Sequence, residues 1–278
     1  MNSRINSVAV TGGFDDIRSG HIRFLQEAGR LGRLNVFLWG DALLQSISGK
    51  APKFPQEERS YYLRAIRFVH WVLLVEGGAN LNELPSVKGV RPTIWVVHEQ
   101  EHTPEKQAYC QARGLDYKVV TEQELQDFPE YAPDRSNDEK TPRKKVVVTG
   151  CFDWFHSGHV RFLEEVCELG DVYVVIGHDA NVRELKGPGH PLFSEQERRY
   201  MIQSIRHVKQ VLISTGHGWL DAEPEILRIK PDIYAVNEDG DKPIKREFCQ
   251  KHRIEYVVLR RLPKAGLQMR DSTMLRGF

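Results

Sequence analysis

The stretch TGCFDWFHSGHVRFLEEVCELG, residues 149–170, has a second version earlier in the chain, TGGFDDIRSGHIRFLQEAGRLG, residues 11–32. Thirteen of these 22 paired positions are identical, at a constant offset of 138. After a one-residue gap, an offset of 139 aligns residues 52–77 with residues 191–216, and then residues 87–120 with residues 226–259. This period far exceeds the roughly 20–50 residues of solenoid repeats. The sequence therefore predicts two tandem copies of one domain.

The segment between the two copies has a different composition. Residues 128–144, FPEYAPDRSNDEKTPRK, are rich in Pro, Asp, Asn and Lys and lack apolar periodicity. Such a composition is typical of an exposed linker. We predict a first domain at residues 1–130, a linker at residues 131–144 and a second domain at residues 145–278.

Each copy alternates strand-like and helix-like patterns. In the second copy, KVVV at residues 145–148 resembles a strand buried in a parallel sheet, and residues 157–169 carry apolar side chains at helical spacing. Further strands are predicted at residues 171–177, 208–214, 231–236 and 254–259. Further helices are predicted at residues 194–205, 221–229 and 243–252. Strand–helix alternation predicts the α/β class, with two tandem Rossmann-like domains that each contain a doubly wound parallel sheet.

Composition excludes several classes of protein. Lys and Arg number 39 against 38 Asp and Glu, so the formal net charge is +1 and no basic surface for a nucleic acid is expected. No apolar run reaches the roughly 18–20 residues of a membrane span. The four cysteines form no CxxC pair and are too few for a disulfide scaffold. We expect a cytoplasmic protein with neither a nucleic-acid nor a membrane partner.

The loop at residues 149–159, TGCFDWFHSGH, contains the residues that point to chemistry. It follows a predicted strand and opens a predicted helix, and ligands of doubly wound sheets bind beyond the carboxyl ends of the strands. Unpaired amides at the start of a helix attract phosphate oxygens, and the imidazoles of His156 and His159 could donate hydrogen bonds to charge that develops there. A histidine pair at this spacing by itself is also typical of a helix cap or a packed core.

The whole frame T-G-x-F-D-x-x-H-x-G-H resembles the signature of the cytidylyltransferase-like nucleotidyltransferase family, which makes CDP-ethanolamine, CDP-choline, CDP-glycerol and ADP-heptose. The resemblance extends over nearly all of the second copy, through Lys186-Gly187, Glu197-Arg198, residues 231–239 and residues 270–273. It implies that a substrate phosphate attacks the α-phosphorus of CTP or ATP and that pyrophosphate leaves.

The resemblance also implies roles for individual residues. His156, His159 and Lys186 would be catalytic. The residues that would contact the nucleotide are Thr149, Gly150, Cys151, Phe152, Asp153, Gly158, Arg198, Asn237, Arg270, Ser272 and Thr273. Asp153 and Asp179 are candidates for orienting the substrate or the Mg²⁺ that is expected with the triphosphate, although no metal ligand is certain. Arg270-Asp271 departs from the family pattern, so Arg276 is an alternative arginine.

The first copy lacks part of this set. Arg18 replaces the first histidine and Ser48-Gly49 replaces Lys186-Gly187, whereas Arg59 is retained at the position of Arg198. We predict a degenerate domain that is kept for its surface, with a regulatory nucleotide site as the alternative. The tandem layout is similar to that of phosphoethanolamine cytidylyltransferase, so the copies could form a pseudo-dimer within one chain, and a homo-oligomer is also open.

The expected reaction is transfer of CMP from CTP to a small phosphorylated alcohol, polyol or sugar. An ATP-using enzyme of the ADP-heptose type is one alternative. A catalytically inactive nucleotide-binding regulator or scaffold is the other. The sequence does not identify the acceptor.

Overall fold

The computed structural model describes residues 5–77, 80–130 and 142–275. The chain divides into two compact units, Met1–Phe128 and Pro129–Phe278. Each unit contains one five-stranded sheet in which every pair of neighbouring strands is parallel. The predicted α/β class with two tandem Rossmann-like domains is therefore confirmed. Within the described ranges, no helix combines the length and the apolar character that a membrane crossing requires.

The first unit has the sheet order β3-β2-β1-β4-β5. Its strands are β1 Ser7–Gly12, β2 Arg33–Trp39, β3 Val69–Val75, β4 Ile94–His98 and β5 Asp116–Val120. Its helices are α1 Ser19–Arg30, α2 Asp41–Ser48, α3 Gln56–Ala65 and α4 Pro104–Arg113.

The second unit has the equivalent order, β10-β9-β6-β7-β8. Its strands are β6 Lys145–Gly150, β7 Asp171–Ile176, β8 Val208–Ile213, β9 Ile233–Asn237 and β10 Glu255–Leu259. Its helices are α5 Ser157–Leu169, α6 Asp179–Lys186, α7 Glu195–Gln203, α8 Glu223–Ile229, α9 Pro243–His252 and α10 Ser272–Leu275.

The central strand β6 explains the depth of the second unit's core. Val146, Val147 and Val148 are fully buried, because helices cover both faces of a parallel sheet and leave no solvated side to such a strand. Val147 packs in one cluster with Tyr234 of β9 and Phe248 of α9. This core fixes the carboxyl end of β6, from which the residues 151–156 loop leaves.

The strand order places the site. Strand β6 has β7 on one side and β9 on the other, so the chain connections run in opposite directions from it. A crevice opens beyond the carboxyl ends of the strands at such a switch point, and ligands bind there.

The predicted elements of the second unit all correspond to observed ones. Helix α6 was not predicted, and the predicted strand at residues 231–236 begins only at Ile233. Most of the predicted linker, residues 131–141, lies outside the described residues.

Candidate active site

A cavity of about 330 Å³ opens at the carboxyl ends of β6 and β9 in the second unit. Many of the predicted nucleotide contacts and all three predicted catalytic residues line it. These are Thr149, Gly150, Cys151, Phe152, Asp153, His156, Gly158, His159, Lys186, Asn237 and Ser272. The structure therefore brings together residues that are up to 123 positions apart in the sequence.

The two histidines are held by the backbone at the start of α5. His156 is the N-cap residue, and its Nδ1 accepts a hydrogen bond from Gly158 N at 3.1 Å. His159 Nδ1 accepts from His156 N at 3.3 Å. Their ring centroids lie 4.0 Å apart. Because each Nδ1 is an acceptor, each neutral ring carries its proton on Nε2. Both side chains are thus oriented as hydrogen-bond donors.

Burial keeps both imidazoles neutral. Burial, reinforced by Arg261 and Arg270 and opposed by Asp271, lowers the pKa of His156 to about 3. Burial also lowers the pKa of His159 well below its usual range, and His156, Arg261 and Lys186 act in the same direction. His156 Nε2 is buried without a hydrogen-bond partner in the part of the chain that the structure describes. An orphaned buried donor in the wall of a cavity indicates a ligand oxygen.

Of the lysine and arginine side chains that the structure describes, three line the same cavity. Lys186 is exposed at the end of α6 and forms no ion pair with any residue that the structure describes. Arg261 follows β10 and contacts Asp239 at 2.8 Å and Asp271 at 3.3 Å. Lys245, in the first turn of α9, is buried. Arg261 and Lys245 were missed by the sequence reasoning, since nothing near them in the sequence marks them as cavity residues.

Contacts within the cavity wall explain why Gly150 and Ser272 occur there. A Cβ at Gly150 would lie 2.9 Å from the Phe152 ring, so a side chain would displace that ring. Ser272 Oγ donates to the carbonyl of Trp154 at 3.1 Å, which ties the start of α10 to the residues 151–156 loop.

Arg198 does not line the cavity, contrary to its predicted role as a nucleotide contact. Its side chain is 1% exposed, and its guanidinium donates to the carbonyls of Phe193, Cys151 and Gly177 and to Asp179. The distance is 3.0 Å to the Phe193 carbonyl, 2.7 Å to that of Cys151, 2.9 Å to that of Gly177 and 2.7 Å to Asp179 Oδ1. A guanidinium that is this fully engaged within the protein fixes three loops instead of holding a phosphate.

The same arrangement occurs in the first unit. Arg59 donates to the carbonyls of Phe54, Gly13 and Trp39 and to Asp41. These partners match those of Arg198 at the repeat offset. Because the unit without the histidine pair keeps this arginine and its contacts, the arrangement serves the fold of both units.

The two carboxylates proposed for the metal or substrate are also engaged. Asp179 pairs with Arg198, and Asp153 accepts hydrogen bonds from Leu192 N at 2.6 Å and Phe193 N at 3.1 Å. In the first unit Asp15 accepts from Lys53 N and Phe54 N in the same way. No group of three or more His, Cys, Asp or Glu side chains suited to a metal ion occurs within residues 5–77, 80–130 and 142–275. These carboxylates do not fit a resident Mg²⁺.

The remaining predicted residues lie elsewhere. Arg270 lines a small neighbouring cavity and not this one. The side chain of Thr273, and the whole of Arg276, lie outside the described residues.

The first unit retains the backbone of the site and His21, the equivalent of His159, but it lacks equivalents of His156 and Lys186. Arg18 N donates to His21 Nδ1 at 3.2 Å, as His156 N does to His159. Arg18, however, pairs with Asp16 at 2.6 Å, and Lys53 approaches the same carboxylate at 3.4 Å. Asp16 thus offsets the positive charges that a phosphate would need.

Comparisons with known proteins identify relatives of the second unit. Residues 147–272 match the family model described as cytidylyltransferase-like. The FAD synthase of Ferroglobus placidus is 35% identical over 134 residues, which cover 48% of this chain and 85% of that protein. The bifunctional protein HldE of Nitratiruptor sp. is 36% identical over 141 residues, but these cover only 30% of that protein. A solved lipopolysaccharide core biosynthesis protein from Thermoplasma volcanium is 26% identical, with a TM-score of 0.37, and the match covers 42% of this chain and 95% of that protein.

Proposed function

Because the chain belongs to the cytidylyltransferase-like family of nucleotidyltransferases, we propose that its second unit transfers a nucleoside monophosphate from a nucleoside triphosphate to a small phosphorylated acceptor. An acceptor phosphate oxygen forms a bond to the α-phosphorus, the bond from that phosphorus to the bridging oxygen breaks, and pyrophosphate leaves. No electrons are transferred. An ionised phosphate needs no general base, so the protein has only to position the reactants and stabilise charge.

The observation that carries this proposal is the pair of neutral imidazoles at the start of α5. His156 and His159 line the cavity with Nδ1 occupied by the backbone, and burial lowers the pKa of both. Their Nε2–H groups are suited to phosphoryl oxygens that gain charge in the transition state. Fixed donors in a poorly solvated site need little reorganisation during the reaction, which makes them effective catalysts.

The cations of the cavity complete the proposed mechanism. Lys186, which has no ion pair among the described residues, would offset charge on the transferred or leaving phosphate. Arg261 can exchange its contacts with Asp239 and Asp271 for the bidentate contact that guanidinium groups make with phosphates. Since Asp153 and Asp179 are engaged within the protein, any Mg²⁺ would enter as the counter-ion of the triphosphate.

Two similarities bear on the identity of the donor nucleotide. FAD contains an AMP unit joined through a pyrophosphate bridge, so the similarity to an FAD synthase over 85% of that protein supports ATP. The family description and the sequence resemblance support CTP. We propose ATP as the first donor to test and CTP as the second, with a phosphorylated alcohol, polyol or sugar as the acceptor.

The first unit is proposed to be the degenerate, non-catalytic copy. The Arg18–Asp16 ion pair stands at the position of His156, and Ser48-Gly49 ends α2 where Lys186-Gly187 ends α6. The unit keeps its sheet and its arginine clamp, the set of contacts that Arg59 makes with three carbonyls and Asp41. This supports a role in structure and not in turnover.

The test is a pyrophosphate-release assay with the full chain. ATP and CTP are each combined with a panel of phosphorylated alcohols, polyols and sugars that includes FMN. We expect release with one donor and a narrow set of acceptors. Tight nucleotide binding by folded protein, without product from any pair, would contradict catalysis and support a nucleotide-binding regulator.

A further inference from the structure

Lys245 is a buried cation in the wall of the cavity. Its Nζ donates to Gly240 O at 3.2 Å, lies 3.4 Å from Thr149 Oγ1 and stands 5.7 Å from the centre of the Tyr234 ring. The residue is 8% exposed. Burial lowers its pKa, and Asp221, Asp239 and Asp241 oppose that change electrostatically.

No carboxylate lies within ion-pair distance of Lys245 among the residues that the structure describes. A buried ammonium without a counter-ion costs free energy, because the carbonyl and hydroxyl contacts replace only part of its hydration. A ligand phosphate in the adjoining cavity would supply a counter-ion.

The first unit supplies the comparison. Lys106, the repeat equivalent in α4, stands 5.7 Å from the Trp95 ring and donates to Glu101 O at 2.6 Å. The Glu101 carboxylate also raises the pKa of Lys106, against the larger effect of burial. At the repeat offset of 139, Glu101 corresponds to Gly240. No ion pair of Lys106 occurs among the described residues either. The two positions differ because the nearby Glu101 side chain has no counterpart at Gly240, which lines the cavity.

We propose that Lys245 binds a phosphate oxygen of a bound substrate, and that glycine at position 240 leaves its ammonium available for this contact. The inference rests on the proposed function and extends it, since it adds a phosphate-binding residue. The phosphate could belong to the nucleoside triphosphate or to the acceptor.

The test measures binding to the full chain by isothermal titration calorimetry. Lys245→Met removes the cation, and Gly240→Glu restores the carboxylate of the first unit. A Cβ at Gly240 would meet only Val236 Cβ, at 3.9 Å, so the second substitution fits the fold. Lys106→Met is the matched control, because it removes the equivalent buried lysine from the other unit.

The probes separate the two sources of phosphate. ATP and CTP test the triphosphate, and inorganic phosphate added to protein that is saturated with a non-hydrolysable ATP analogue tests the acceptor. We expect affinity for one class of probe to fall about 10–100-fold in both Lys245→Met and Gly240→Glu, as for a charge-assisted hydrogen bond, and to be unchanged in Lys106→Met.

The outcomes distinguish this inference from the proposed function. Wild-type affinity for all probes in Lys245→Met and Gly240→Glu would overturn the role of Lys245 and leave the proposed function intact. An equal loss in Lys106→Met would also overturn it, since the effect would then be structural. Failure of the wild-type chain to bind any probe would overturn both.

Discussion

At the scale of single residues, His156 combines two roles that depend on its protonation state. Its Nδ1 caps α5 by accepting from Gly158 N, and its Nε2–H remains for a ligand. Protonation would turn Nδ1 from a hydrogen-bond acceptor into a donor, which would then face the N–H donor of Gly158. The cap and the catalytic donor therefore require the same neutral ring.

This dependence gives a pH prediction. The folded pKa of His156 is about 3, below the unfolded value of about 6.5, so the unfolded chain binds the proton more readily. Stability from this group is intact above pH 6.5 and falls as the pH decreases towards 3, by about 2 kcal/mol between pH 7 and pH 5. Asn is a good N-cap residue, so His156→Asn should retain the helix and lose this dependence.

Urea unfolding of both proteins at pH 7 and pH 5 measures the effect. Contributions from groups that His156 does not affect are common to the two proteins and cancel in the comparison. We expect the wild-type chain to lose about 2 kcal/mol more than His156→Asn between the two pH values. Equal losses would show that His156 titrates normally in the folded chain.

Arg198 shows where the reasoning from sequence failed. The family resemblance assigned it to the nucleotide, but the structure places its donors on three carbonyls and Asp179. The sequence contained a signal against that role, because Arg59 is retained in the copy that has lost the first histidine. A residue that is retained in a copy without the catalytic histidine pair is more consistent with a role in the fold.

The positions of Lys245 and Arg261 in the cavity wall could not be predicted from the sequence, for a different reason. Lys245 reaches Thr149 across 96 positions, through the pairing of β6 with β9. Such a contact depends on strand order and on how α9 packs, and the local pattern around Lys245 is that of an ordinary charged helix.

At the scale of elements, the start of α5 depends on glycine at position 158. A Cβ there would lie 2.9 Å from His156 Cε1 and 3.0 Å from its Nδ1. Gly158 has no positive φ that would itself require glycine. The constraint is therefore the close approach of the imidazole that caps the helix.

Gly158→Ala should consequently displace the His156 ring while the helix remains formed, since alanine favours helices over glycine. We expect nucleotidyl transfer to fall at least 10-fold with little change in thermal stability. Gly20→Ala is the matched control, because a Cβ at Gly20 has no atom within 4 Å. Pyrophosphate release and thermal unfolding are measured for both variants. Full activity in Gly158→Ala would indicate that the ring position is unimportant.

The elements themselves could mostly be predicted, because β-branched runs and helical spacing alternate clearly in KVVV and in residues 157–169. Helix α6 was missed for a physical reason. It has eight residues, few of them apolar, and only Asn181 and Val182 are buried. Its start is fixed by a tertiary contact, because Asp179 N donates a hydrogen bond to Glu195 Oε2 at 2.8 Å. No local sequence pattern reveals such a contact.

At the scale of the whole molecule, the duplication provides an internal control for each role. Both units retain the sheet order, the arginine clamp and the aspartate that holds the following loop. They differ in Arg18 against His156, in Ser48 against Lys186 and in Glu101 against Gly240. The shared features account for the fold, and the differences concentrate at the cavity.

This asymmetry predicts how many nucleotides one chain binds. The first unit neutralises Arg18 with Asp16 and lacks the lysine that ends α6. We therefore expect one ATP or CTP per chain in calorimetric titration. Two equivalent sites would contradict the assignment of the first unit as non-catalytic and would favour a regulatory nucleotide site there.

The most direct test of the central claim compares two single substitutions in the full chain. His159→Ala removes a proposed transition-state donor, and His21→Ala removes its repeat equivalent, whose Nδ1 accepts the corresponding backbone bond. The measurement is kcat/KM for pyrophosphate release. We expect a loss of about 10²–10³-fold in His159→Ala, as for other fixed transition-state donors, and wild-type values in His21→Ala. Wild-type activity in His159→Ala, or an equal loss in His21→Ala, would contradict the claim that this imidazole stabilises the transferred phosphoryl group.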